Sequence, residues 1–130
     1  MYQPRIVSQV RSADGKVVAI PSPVIRDRIA NPDYLRIVRE GMRETVTEGT
    51  AQSLKDLSVE VAGKTGTAQF GGEKKTHGWF VSFAPFENPE LAMIVLVEGQ
   101  GEEGYNAVPV TKEVYDWYFN RFKEGESVSP

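Results

Sequence analysis

Residues 59–69 read Val59-Glu60-Val61-Ala62-Gly63-Lys64-Thr65-Gly66-Thr67-Ala68-Gln69. β-Branched residues alternate here with small or polar ones, which is the two-residue period of a strand. A cation, two hydroxyls and flanking glycines gather at its far end. Downstream, Gly71-Gly72-Glu73-Lys74-Lys75 reads as a turn. Trp79, Val81 and Phe83 then alternate with Phe80, Ser82 and Ala84 on a second, mostly apolar face, so this strand is expected to be covered on both sides. Pro85 and Glu87-Asn88-Pro89-Glu90 reverse the chain into Leu91-Ala92-Met93-Ile94-Val95-Leu96-Val97, a run short enough for a buried strand. Residues 58–98 therefore form an antiparallel three-stranded meander.

Upstream, alternation around Ile6, Ser8 and Val10 meets Ala13-Asp14-Gly15 and resumes at Val17 and Ala19. This is a hairpin over residues 1–23, ended by Pro21 and Pro23. Asn31 before Pro32 supplies an N-cap and a first-turn proline, and Leu35, Val38, Met42 and Val46 follow at helical spacing, so a helix spans 31–49 and Gly49 closes it. Thr50 to Leu57 is a short polar connection. After the acidic, glycine-rich loop from Gly99 to Asn106, Pro109 opens a closing helix over 107–123, with Val110, Val114, Trp117, Tyr118 and Phe122 on one face. Residues 124–130 are a tail. The fold class is α+β, an antiparallel sheet packed with helices, in a single segment of 1–130.

The chain has 130 residues, 40% hydrophobic and 25% charged, enough for one modest core and unlike a disordered sequence. No apolar run nears the ~20 residues of a membrane helix, and Met1 to Arg5 holds no apolar leader core. The absence of cysteine excludes disulfides, thiolate metal sites and cysteine nucleophiles. Charge is uneven, +4 over residues 1–43 and −7 over 44–130. The basic part interleaves Arg26, Arg28, Arg36, Arg39 and Arg43 with Asp27, Asp33, Glu40 and Glu44, the pattern of a solvated helix face, so no nucleic-acid partner is expected.

The chemistry concentrates at Lys64, Thr65, Gly66 and Thr67. A free strand edge can receive an extended peptide, and Gly66, lacking Cβ, lets it approach closely. Thr65 and Thr67, two apart, project to one side and can donate to a carboxylate, while Lys64 supplies positive potential. A phosphate-cradling loop ending in Gly-Lys-Thr is excluded, because Ser58 stands where its first glycine belongs. His77 without an adjacent serine or carboxylate motif reads as a structural histidine hydrogen-bonded near the sheet end, and no metal or cofactor is expected. Trp79, Phe80 and Phe83, like Trp117, Tyr118 and Phe122, read as core packing, and Glu102 and Glu103 as solvated charge.

The stretch Gly63 to Gln69, followed after a short loop by His77-Gly78-Trp79-Phe80-Val81-Ser82-Phe83-Ala84-Pro85, resembles the class B penicillin-binding proteins. Gly41-Met42, Gly49-Thr50-Ala51 and Ala107-Val108-Pro109 are similar to that family as well, so the resemblance runs from about Pro4 to Phe122. It implies the C-terminal part of a serine D,D-transpeptidase domain. In that family a serine attacks the D-alanyl-D-alanine end of a peptidoglycan stem peptide, another stem's amine resolves the acyl-enzyme, and β-lactams trap the serine. The resemblance assigns Lys64 to the site's charge and proton network and the Thr65 and Thr67 hydroxyls to the donor carboxylate. It assigns the Thr67 backbone N–H to half of the oxyanion hole, where one fixed donor is typically worth ~3 kcal/mol.

The chain departs from the family at the nucleophile: neither Ser-x-x-Lys nor Ser-x-Asn occurs in it. Met1 followed directly by mid-domain sequence suggests a truncated start. The expectation is a parent enzyme, membrane-anchored with its site on the extracytoplasmic face of the bacterial inner membrane, and a chain that by itself is inactive. Its partners are then the missing upstream transpeptidase segment, the stem peptide and, with that segment present, β-lactams. The alternative is a noncatalytic module that binds D-alanyl-D-alanine peptides; β-lactam hydrolysis fits the strand less well. The family's sheet has five strands, two of them upstream of the serine beside Leu91 to Val97. That edge is expected to be covered by the hairpin or by a second copy, which a light-scattering mass above the monomer reports.

Overall fold

The computed structural model describes residues 7–21, 30–71, 75–100 and 107–122. Ile6, Pro23, Arg26, Arg28, the Gly72 to Lys74 part of the second turn, Glu102, Glu103 and the tail 124–130 lie outside the described residues. Two compact units are present, Met1–Leu35 and Arg36–Pro130.

The first unit holds an antiparallel pair, β1 (Val10–Arg11) and β2 (Val17–Ala19), all of it exposed. Its turn is local chemistry. Gly15 takes φ +82, a left-handed conformation suited to glycine, its amide donates to the Ser12 carbonyl, and the Ser12 amide donates to Lys16 O at 2.9 Å. The Ser12 hydroxyl on the Asp14 carboxylate, with Lys16 3.0 Å away, holds that carboxyl below its ordinary range. The start of α1 (Pro32–Thr47) follows the sequence signals: the Asp33 amide donates to Asn31 Oδ1 at 2.9 Å, and Pro32 sits where its missing N–H costs nothing.

The second unit carries the sheet, in the order β3 (Ala62–Phe70), β4 (Lys75–Ala84), β5 (Leu91–Gln100), all antiparallel. Between α1 and β3, the stretch read as a polar connection contains a 3-10 turn, Gln52–Asp56, because Leu54 is buried and draws the backbone inward. Leu54 joins Val46, Ala51, Val61, Phe80 and Ala84 in one core with Val108 and Tyr115. The latter two come from α2 (Ala107–Asp116), which continues as a π-helical stretch, Trp117–Phe122. A register shift between Thr76 and Gly78 leaves an extra residue on β5, and Gly99 takes it up at φ +68.

Packing differs from the sequence expectation on four elements. β4 is not covered on both sides: Phe80, Ser82 and Ala84 are buried, whereas Trp79 and Val81 remain 38% and 42% exposed. On β5, Ile94 and Leu96 continue that open apolar face, since they pair with Val81 and Trp79. α2 turns inward the stripe Ala107, Val108, Thr111 and Tyr115, leaving Val110, Val114 and Trp117 exposed. A polar match selects that face, because the Tyr115 hydroxyl meets Ser82 Oγ at 3.0 Å inside the core, and unpaired burial of either would be costly. On α1, of the four residues read as its inner stripe, Val46 alone is buried, and Leu35 and Val38 are exposed.

Candidate functional site

β3 positions the four sequence-nominated residues along one margin of the sheet, where the described residues give it a ladder partner on its β4 side alone. Residues directly opposite in an antiparallel pair share a face. Thr65 and Thr67 stand opposite Phe80 and Gly78, so both project to the core side, but at its margin, where Thr65 is half-buried and Thr67 exposed. Lys64 and Gly66 stand opposite Val81 and Trp79 and belong to the open apolar face. The strand thus presents its hydroxyls to one side and its cation to the other. The Lys64 ammonium is exposed and donates to the Thr65 carbonyl at 2.6 Å, so its charge lies against the strand it sits on.

The two glycines differ in what they accommodate. A Cβ on Gly63 would stand 2.4 Å from Phe80 Cζ and 2.8 Å from the Val81 carbonyl oxygen, so the chain's own packing demands glycine there. A Cβ on Gly66 would meet Trp79 Cβ at 3.5 Å, ordinary contact. Nothing inside the described structure requires a glycine at 66.

Thr50, from the triplet Gly49-Thr50-Ala51, is a neighbour of the site. Thr50 Oγ1 lies 2.9 Å from Thr65 Oγ1, a pairing across fifteen residues of sequence that no periodicity reveals. The sequence signal for it is the triplet Gly49-Thr50-Ala51 alone. His77 sits opposite Ala68 at the same end of the sheet: its ring stacks on Phe70 with centroids 4.0 Å apart, and its Nδ1 accepts the Gly99 amide at 3.4 Å. That contact makes the histidine a clasp between β4 and the β5 bulge. The arrangement as a whole can align an extended chain and donate hydroxyl hydrogen bonds to an anionic end. Among the described residues it contains no activated nucleophile.

Comparison with known proteins agrees with this fold. The chain matches the penicillin binding protein transpeptidase domain over residues 1–116. It is 34% identical over 100 residues to the peptidoglycan D,D-transpeptidase MrdA of Haemophilus influenzae, an alignment covering 64% of this chain and 15% of that protein. Its fold is similar to penicillin-binding protein A of M. tuberculosis, solved as an imipenem acyl-enzyme complex, with TM-score 0.71, 29% identity and coverage of 87% of this chain and 25% of that one. Pseudomonas aeruginosa PBP2, solved in complex with WCK 5153, gives TM-score 0.66 and 35% identity, over 90% of this chain and 26% of that one. The chain therefore spans a small part of the length of the relatives it matches. On the full run of residues 1–116, with the three-stranded sheet and the Lys64-Thr65-Gly66-Thr67 strand in place, this chain belongs to the penicillin-binding-protein transpeptidase family.

Proposed function

We propose that this chain is the substrate-holding wall of a serine D,D-transpeptidase, completed by a segment that carries Ser-x-x-Lys and Ser-x-Asn. On this reading β3 aligns the D-alanyl-D-alanine end of a peptidoglycan stem peptide along its free edge. Thr65 and Thr67 hold the carboxylate, the Thr67 N–H faces the developing oxyanion, and Lys64 supports the charge of the proton network around the serine. The observation that carries the reading is Gly66: its missing Cβ has no explanation in the packing of the described residues and a direct one in the close approach of a ligand backbone.

The open apolar face supports the second half of the proposal. Trp79, Val81, Ile94 and Leu96 form a contiguous patch by strand pairing, and a patch of this kind on one sheet face marks a contact surface. The nucleophile-bearing segment packs there, on the side where Lys64 and Gly66 project. β-Lactams are then ligands of the completed site, and the complete protein works at the extracytoplasmic face of the inner membrane, where stem peptides are cross-linked.

Titration with a peptide ending in D-alanyl-D-alanine, followed through the amide signals of residues 64–68, tests this. The chain alone is expected to show negligible shifts, and the complete domain saturable ones centred on β3. Saturable binding by the chain alone, with the L-alanyl peptide silent, would overturn the reading in favour of a noncatalytic peptide-binding module.

A further inference from the structure

The turn that follows α1 leaves Thr50 little freedom of place. A Cβ on Gly49 would stand 2.9 Å from Thr45 Cα and 3.0 Å from its carbonyl oxygen, so the turn lies tight on the helix end and only glycine fits without a shift. Ala51 on the other side is fully buried, and its amide donates to the Thr45 carbonyl at 3.0 Å. Between these two anchors the Thr50 hydroxyl is delivered to the margin of β3, 2.9 Å from that of Thr65.

A threonine side chain has three staggered χ1 positions, and at a strand margin the choice decides whether its hydroxyl points along the edge or away from it. Each hydroxyl carries one proton and two acceptor positions. In the Thr50–Thr65 pair one proton closes the bond between the two oxygens and the other stays available for an acceptor outside the pair. We infer that Thr50 is a positioning residue: it locks the Thr65 rotamer and leaves one proton of the pair directed at the carboxylate of a ligand lying along β3. The inference rests on the reading of β3 as the carboxylate-holding strand. Hydrogen bonds to an ionised acceptor are shorter and stronger than neutral ones, so the pair's orientation matters most for ligands that carry that charge.

The experiment uses the complete transpeptidase domain and measures the second-order rate of acylation by a carboxylate-bearing β-lactam and by its methyl ester. Thr50→Val keeps the shape and removes the hydroxyl; the expected result is a loss of about tenfold for the acid and less than about twofold for the ester, the scale of one lost charge-assisted hydrogen bond. Thr50→Ser is expected to restore the acid's rate. In the chain as it stands, vicinal couplings should show one Thr65 χ1 rotamer, averaged in Thr50→Val. Equal losses on acid and ester, or an unchanged acid rate in Thr50→Val, overturn the positioning role. Thr65→Val separates the two levels. If it slows the acid selectively while Thr50→Val does not, only the positioning role fails; if it leaves the acid unaffected, the carboxylate-holding reading fails and takes the positioning role with it.

Discussion

At residue scale, the two glycines of the Gly63-Lys64-Thr65-Gly66 stretch should part company on substitution. Gly63→Ala drives a methyl into the Phe80 ring and the Val81 carbonyl, and it is expected to destabilise the chain by about 1–3 kcal/mol, as overpacking in a filled core does. Gly66→Ala meets only an ordinary contact with Trp79 and removes backbone freedom from the unfolded chain, so its stability is expected to stay within about 1 kcal/mol of the parent. Urea unfolding of both variants checks the contrast; an equally large loss at 66 would show a packing role there and remove the main support for ligand approach. The same residues show how far sequence reaches. Lys64, Thr65 and Thr67 could be nominated because strand alternation fixes which neighbours share a side. Thr50 could not be paired with Thr65, because that contact is made by a turn whose path depends on where Ala51 is buried.

At the scale of elements, the hydrogen bond between Tyr115 on α2 and Ser82 on β4 decides which face of the helix is inside. Burial pushes the Tyr115 hydroxyl above its ordinary value of 10.0, with the bond to Ser82 acting weakly the other way. A group whose folded value is raised adds stability that is fully present below pH 10 and is lost as pH climbs from there through the folded value. Tyr115→Phe leaves the Ser82 hydroxyl without this partner, at a cost of about 1–3 kcal/mol at neutral pH, and it flattens the alkaline fall in stability. Denaturation at pH 7 and above pH 10 reads both effects; a variant that keeps the parent's alkaline slope would assign that slope to another tyrosine.

Element types were legible apart from the 3-10 turn Gln52–Asp56 and the π-helical end of the closing helix: Asn31 and Pro32 mark the start of α1, Gly15 the hairpin turn, and alternation the three strands. Element faces were less so. α2 has apolar residues on two stripes, and periodicity alone cannot prefer the one that brings a tyrosine hydroxyl to a strand serine. On β4 and α1 the apolar pattern exceeds what the described residues cover, which is why Trp79, Val81, Leu35 and Val38 look like core in sequence and stand exposed in the structure.

For the whole molecule, that surplus is the most informative feature. One face of the sheet is packed by helices and the other is left apolar, and among the described residues β3 has a ladder partner on one side alone. The nucleophile-bearing neighbour proposed above accounts for both. The Ser-x-x-Lys and Ser-x-Asn motifs are absent from the sequence, and the described residues bring no activated serine to Lys64 or Thr67. On the proposed reading the chain's contribution is geometric and electrostatic, and the covalent chemistry belongs to a segment packed on the open face at Trp79 and Ile94. The most direct measurement is incubation with a fluorescent penicillin followed by intact-mass analysis. The account predicts that the chain alone stays unmodified, and that the complete domain takes up one penicillin on the serine of the Ser-x-x-Lys segment. A stoichiometric covalent adduct on the isolated chain would contradict it.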